Sequence, residues 1–123
     1  MPENEYVVLK RAQRGRPGVS DRMPTEYTGK HRDITVRVGE EFVIALEGNP
    51  TTGYEWEAHY DSSMLQLVDR EFSAYGPGIG SGGIERFRLR ALTAGDTQLE
   101  LIYKRAWETI ATEDVVFHVH VNN

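Results

Sequence analysis

Alternation of apolar and polar residues, the two-residue period of strands with one buried face, dominates the chain after about residue 34. Phe87, Leu89 and Ala91 alternate with three arginines, and a second alternating run begins at Val115. No segment of ten or more residues keeps a helical period. The pattern predicts an all-β, antiparallel sandwich of about seven strands. The predicted strands are Ile34 to Val38, Phe42 to Leu46, Tyr54 to Tyr60, Leu65 to Glu71, Ile84 to Leu92, Thr97 to Lys104 and Val115 to Val121.

Residues 1–33 differ from the rest, because they are polar, poorly periodic and interrupted by glycine and proline. We interpret them as a flexible, mobile N-terminal extension, and residues 34–123 as the folded domain. A structured alternative is that Tyr6 to Leu9 pairs as an extra edge strand.

Between the second and third predicted strands the residues strongly restrict the backbone: Asn49, Pro50, Thr51, Thr52, Gly53 and Tyr54. Pro50 fixes its own φ, the threonines are stiff at χ1, and Gly53 can take the positive φ that reverses the chain. The sequence therefore predicts a rigid, neutral and polar loop, of a kind suited to insertion into a cleft. The competing interpretation is a well-formed turn with no binding role.

Two further segments follow predicted strands, and they read Gly80-Ser81-Gly82-Gly83 and Arg105-Ala106-Trp107. The three loops, in this order and spacing, resemble those of the chagasin family of cysteine-protease inhibitors. The resemblance runs from about Ile34 to Val121. It implies an immunoglobulin-like fold and reversible, non-covalent inhibition of papain-like cysteine proteases.

The resemblance also implies a role for each loop. Thr51 and Thr52 would approach the catalytic cysteine and histidine of the protease, and the glycine-rich segment would lie extended along one wall of its cleft. Trp107 would pack on the opposite wall, with Arg105 supporting its loop. Because Tyr103 continues the strand phase of Leu99 and Leu101, we expect Trp107 in the loop beyond the strand, although core packing is the competing interpretation. Ala106 stands where the family pattern has proline.

Composition narrows the classes of partner. The 123 residues carry a net charge of −5, which argues against nucleic acid, and no apolar run approaches a membrane span. There is no cysteine, so disulfides and thiol chemistry are excluded. The start of the chain lacks the pattern of a secretory signal, which leaves the protein in the cytoplasm or exported after processing. We expect a monomer that needs no cofactor.

Two alternatives remain open beside inhibition. One is an immunoglobulin-like adhesion or protein-binding module without protease inhibition. The other is a small metal- or ligand-binding β protein, because His118 and His120 fall on one strand face. Two histidines without a clear third ligand more often form a solvated strand face, so we predict no metal site. No serine motif or carboxylate pair indicates a catalytic set, and we expect that the protein is not an enzyme.

Overall fold

The computed structural model of the chain describes residues 24–76 and 82–123, which form eight strands and one turn of 3-10 helix. All seven predicted strands are present, with ends that differ by up to three residues from the predicted ones. The strands are β1 (Thr25–Tyr27), β2 (Asp33–Arg37), β3 (Glu41–Gly48), β4 (Tyr54–Tyr60), β5 (Leu65–Ala74), β6 (Gly83–Ala91), β7 (Gly95–Arg105) and β8 (Glu113–Asn122), and the 3-10 turn is Pro50–Thr52.

The strands form two four-stranded sheets, which we call sheet A, in the order β1-β3-β6-β5, and sheet B, in the order β2-β8-β7-β4. The predicted all-β sandwich is thereby confirmed. Both sheets are mixed rather than purely antiparallel, since β1 runs parallel to β3 and β2 runs parallel to β8. Apolar alternation could not reveal this, because it records which face of a strand is buried and not the direction of its neighbour.

The inner faces of the two sheets share one apolar core, built from the alternating positions of the strands. Phe42 and Ile44 of β3 face Phe117 and Val119 of β8, and each of these four side chains is fully buried. Burying a side chain of this size contributes roughly 1.5–3 kcal/mol, so the core is the main stabilising feature. Trp56 of β4 completes it toward the end of the sandwich where β3 terminates.

The start of the folded region lies earlier than the sequence predicts. Apart from the alternative strand at residues 6–9, no strand is predicted before Ile34, yet β1 pairs with β3 from Thr25 to Tyr27, so the proposed extension over 1–33 overlaps the folded part. Tyr27 packs edge-on against Phe42, with ring centroids 6.5 Å apart. Three residues with one inward-facing side chain are too few for a detectable period, which explains the miss. The possible strand at residues 6–9 lies outside the described residues.

Residues 24–76 and 82–123 contain no helix that could span a lipid bilayer.

Candidate functional site

Three connections meet at one end of the sandwich. Gly48, the last residue of β3, pairs with Gly83, the first of β6, and Tyr54, the first of β4, pairs with Arg105, the last of β7. The register therefore places the connections after β3, before β6 and after β7 at the same end of the sandwich. We call them loop 1 (residues 49–53), loop 2 (75–82) and loop 3 (106–112); residues 77–81 of loop 2 lie outside the described residues.

Loop 1 is held in shape by its own residues. Asn49 has an extended backbone and caps the 3-10 turn, because its side-chain oxygen accepts hydrogen bonds from the amide (3.2 Å) and hydroxyl (2.6 Å) of Thr51. The hydroxyl of Thr52 donates to the carbonyl oxygen of Asn49 at 2.7 Å. Pro50 occupies the first turn, where its missing N–H costs least, and Gly53 ends the turn with φ 85°. The predicted rigid loop is thus present, as a short helical turn.

Loop 3 is organised around Arg105. Its guanidinium lies between two aromatic rings, 4.8 Å from the centroid of Tyr54 and 5.4 Å from that of Trp107. The same group donates to the carboxylate of Glu108 at 2.9 Å, and the amide of Arg105 donates to that carboxylate as well. The amide of Glu108 donates to the carbonyl oxygen of Arg105, which closes the turn. The hydrogen bond from Arg105 lowers the pKa of Glu108, and the carboxylate in turn raises the pKa of the guanidinium.

Trp107 points away from the core. Its side chain is 73% exposed, whereas Trp56, the other tryptophan, is 2% exposed. The expectation that Trp107 lies in the loop beyond β7 is confirmed, and core packing is excluded. Ala106 beside it is also exposed.

Loops 1 and 3 touch each other. A Cβ added to Gly53 would lie 3.6 Å from the ring of Trp107 and 3.8 Å from the side chain of Arg105. Tyr54, directly after loop 1, stacks on Tyr103 of β7 with ring centroids 5.2 Å apart. The two loops therefore form one continuous surface, with the polar turn on one side and the exposed indole on the other.

The described part of loop 2 approaches the end of β3 at Gly82, where an added Cβ would lie 3.4 Å from the carbonyl oxygen of Gly48. Gly82 has φ 74° and accepts a hydrogen bond from the amide of Tyr75 at 3.0 Å. At Gly83 an added Cβ would collide with the carbonyl oxygen of Ser73, so no larger residue fits there. The other two predicted residues of this segment, Gly80 and Ser81, lie outside the described residues.

The family model of the chagasin family peptidase inhibitor I42 matches residues 35–121. This chain belongs to the chagasin family. It is 34% identical over 90 residues to amoebiasin-1 of Entamoeba histolytica, covering 72% of this chain and 87% of the relative. It is 31% identical over 94 residues to chagasin of Trypanosoma cruzi, covering 72% and 86%. The crystal structure of the cysteine protease inhibitor EhICP2 from Entamoeba histolytica superposes with TM-score 0.72 at 25% identity, covering 80% and 95% of the two chains.

The structure adds to the site several residues that the three sequence motifs do not contain. Tyr103 packs under loop 1, and Glu108 binds Arg105 three residues before it. Ile110 of loop 3 is 80% exposed, the most exposed of the large apolar side chains in the described ranges. The spacing of Arg105 and Glu108 could have indicated their ion pair, whereas Tyr103 reads in the sequence as an ordinary strand residue.

The histidines considered as metal ligands lie on the outer face of sheet B. His118 and His120 are both exposed, and His120 Nδ1 lies 2.7 Å from the carboxylate of Asp96. No cluster of three or more histidine, aspartate or glutamate side chains in the described ranges is arranged to hold a metal ion. This face carries solvated charges and is remote from the three loops.

Proposed function

We propose that the chain is a reversible, non-covalent inhibitor of papain-like cysteine proteases, of papain or cathepsin-L type, that inserts loops 1, 2 and 3 into the active-site cleft. Membership of a family of peptidase inhibitors supports this, as does the 25% identical EhICP2, itself a cysteine protease inhibitor. The observation that carries the proposal is the exposed Trp107 in contact with the rigid turn of loop 1.

Loop 1 is the part proposed to enter the cleft. Residues 49–54 contain no charged side chain, so burial against a protease costs no charge desolvation there. Thr51 and Thr52, both exposed, would face the catalytic cysteine and histidine of the protease. Because the turn is already closed by its internal hydrogen bonds, docking orders little additional backbone.

The other two loops are proposed to hold the walls of the cleft. Gly80 to Gly83 would lie extended along one wall, where the lack of side chains lets backbone groups approach closely. Trp107 would pack on the opposite wall, supported by Arg105, which fixes the indole from below. An exposed tryptophan beside a rigid loop is the type of residue that dominates binding energy in protein interfaces. An interface of standard size would bury roughly 800 Å² on each partner.

No covalent step is needed, since tight binding of the three loops would itself block the cleft. We propose that the inhibitor acts as a monomer, bound one to one and left uncut. The test is titration of active-site-quantified papain and a cathepsin-L-type enzyme with the purified chain, followed by mass spectrometry of the mixture. The expected result is competitive inhibition by an inhibitor of unchanged mass. A covalent adduct, or full protease activity at micromolar inhibitor, would refute the proposal.

A further inference from the structure

Two aromatic side chains of sheet B reach across the sandwich and bind the backbone at the end of β3 and at the start of loop 1. The indole N–H of Trp56 donates to the carbonyl oxygen of Glu47 at 3.0 Å. The amide of Asn49 donates to the hydroxyl of Tyr103, also at 3.0 Å. The backbone just before the 3-10 turn is therefore hydrogen-bonded to sheet B on both sides of Gly48, at Glu47 and at Asn49.

Gly48 lies against both rings. A Cβ at this position would lie 3.4 Å from the indole nitrogen of Trp56 and 3.7 Å from the ring of Tyr103, so the two rings pack directly against the glycine backbone. The rings also contact each other, with centroids 4.8 Å apart. We call Trp56, Tyr103 and Gly48 the aromatic clamp.

We propose that Tyr103 is a positioning residue for the inhibitory loop, acting through the bond between its hydroxyl and the Asn49 amide. Asn49 caps the 3-10 turn with its carbonyl and side-chain oxygens, while its amide is held by Tyr103. Asn49 therefore links the 3-10 turn of loop 1 to sheet B, and this link sets the direction in which the loop projects. Since Tyr103 lies two residues before Arg105, the same strand also sets the direction of Trp107.

The hydroxyl is the part of Tyr103 to be tested, because the ring also belongs to the core packing. In Tyr103→Phe the stack on Tyr54 and Trp56 remains, and the Asn49 amide loses its partner in sheet B. A hydrogen bond of this kind is worth about 0.5–1.5 kcal/mol, so the inhibition constant should rise by roughly twofold to twelvefold. The matched control is Tyr60→Phe, at the opposite end of β4, which should leave inhibition unchanged.

Two further measurements separate positioning from a general loss of stability. Hydrogen exchange of the Asn49 amide in the free protein should accelerate in Tyr103→Phe by more than exchange of the core amides, which report the change in overall stability. In a double-mutant cycle, the effect of Tyr103→Phe on inhibition should shrink in a Thr52→Ala background, where loop 1 contacts are already lost, and persist in a Trp107→Ala background.

The inference on inhibition rests on the proposed function, and the outcomes distinguish the two. If the wild-type chain inhibits proteases and Tyr103→Phe inhibits equally well, the positioning role is wrong while the function stands. An equal loss in both double-mutant backgrounds would also refute it. If the wild-type chain inhibits no papain-like protease, the proposed function fails, and unchanged exchange of the Asn49 amide in Tyr103→Phe would refute the positioning role separately.

Discussion

Loops 1 and 3 lie side by side but are built in opposite ways. Loop 1 presents a polar turn closed by four hydrogen bonds within residues 49–52. Loop 3 exposes two large apolar side chains, Trp107 and Ile110, and its turn is held by the ion pair between Arg105 and Glu108. The first loop therefore provides a fixed shape, and the second provides apolar area that only a partner can bury.

This difference allows two contributions to binding, the fixed shape of a loop and the apolar area that it buries, to be tested separately. A loop that is already rigid contributes by avoiding an entropy cost, so its substitutions should act through shape. An exposed side chain contributes through the area it buries on docking, so its removal should reduce affinity and leave folding alone. The predictions that follow test this division, from the largest expected effect to the smallest.

Trp107→Ala should have the largest effect on binding. Because the indole is 73% exposed, its loss should leave the unfolding midpoint nearly unchanged. Affinity for papain should fall by about 2 kcal/mol or more, the size typical of a central tryptophan anchor. Calorimetric binding and thermal melting of the same preparation measure both quantities. Leu92→Ala, another exposed apolar residue but at the far end of β6, serves as the control with unchanged affinity. A sharp fall in stability in Trp107→Ala would contradict the division.

Gly53→Ala should disturb the shape of loop 1 and leave the apolar area of the site unchanged. The residue has φ 85°, a conformation that costs an alanine roughly 1–2 kcal/mol, and the added methyl group would lie 3.6 Å from Trp107. Stability and affinity should therefore fall together, as measured by denaturant unfolding and inhibition. Gly29→Ala is the matched control, since its φ lies outside the left-handed range and its added Cβ meets nothing closer than 3.9 Å. Unchanged inhibition in a destabilised Gly53→Ala would show that loop 1 needs no fixed shape.

These two residues also show what the sequence could predict. The turn at Gly53 could be predicted because the loop 1 pattern is local, with the cap, the proline and the glycine within five positions. The exposure of Trp107 followed from strand phase. The bond between Asn49 and Tyr103 joins residues 54 positions apart, and such a contact depends on the packing of two sheets, which no local pattern encodes. The parallel directions of β1 and β2 could not be predicted because alternation does not record the direction of a neighbouring strand, and β1 is too short to show a period.

The ion pair that holds loop 3 should make it sensitive to acid. Arg105 lowers the pKa of Glu108 in the folded chain, so the pair contributes stability that is fully present above the ordinary glutamate pKa. This contribution is lost as the pH falls through the lowered pKa. The difference in thermal midpoint between wild type and Glu108→Gln should therefore be present at pH 7 and shrink in acid.

Glu113→Gln, which changes an exposed carboxylate at the start of β8, is the matched control for this experiment. A difference between wild type and Glu108→Gln that stays constant from neutral pH into acid would mean that the neutral hydrogen bond, and not the charge, closes loop 3.

Ala106→Pro should give the smallest change and the only gain. Arg105, the last residue of β7, pairs with Tyr54 in an extended conformation, which is the conformation that a residue before proline prefers. Ala106 is exposed, so the ring meets solvent rather than the core. Proline restricts the unfolded chain and the free loop, and it should stabilise the protein by roughly 0.4–1 kcal/mol and tighten inhibition.

Ala106→Gly is the matched opposite of Ala106→Pro, because it frees the same backbone position and should lower stability and affinity together. Inhibition titrations and thermal melts of the three proteins form one series. Affinities that increase from Ala106→Gly through wild type to Ala106→Pro would show that loop 3, like loop 1, binds better when it is rigid. If the proline variant folds fully but inhibits less, the path of loop 3 depends on the Ala106 amide, and loop 3 then contributes to binding through its shape as well as through its apolar area.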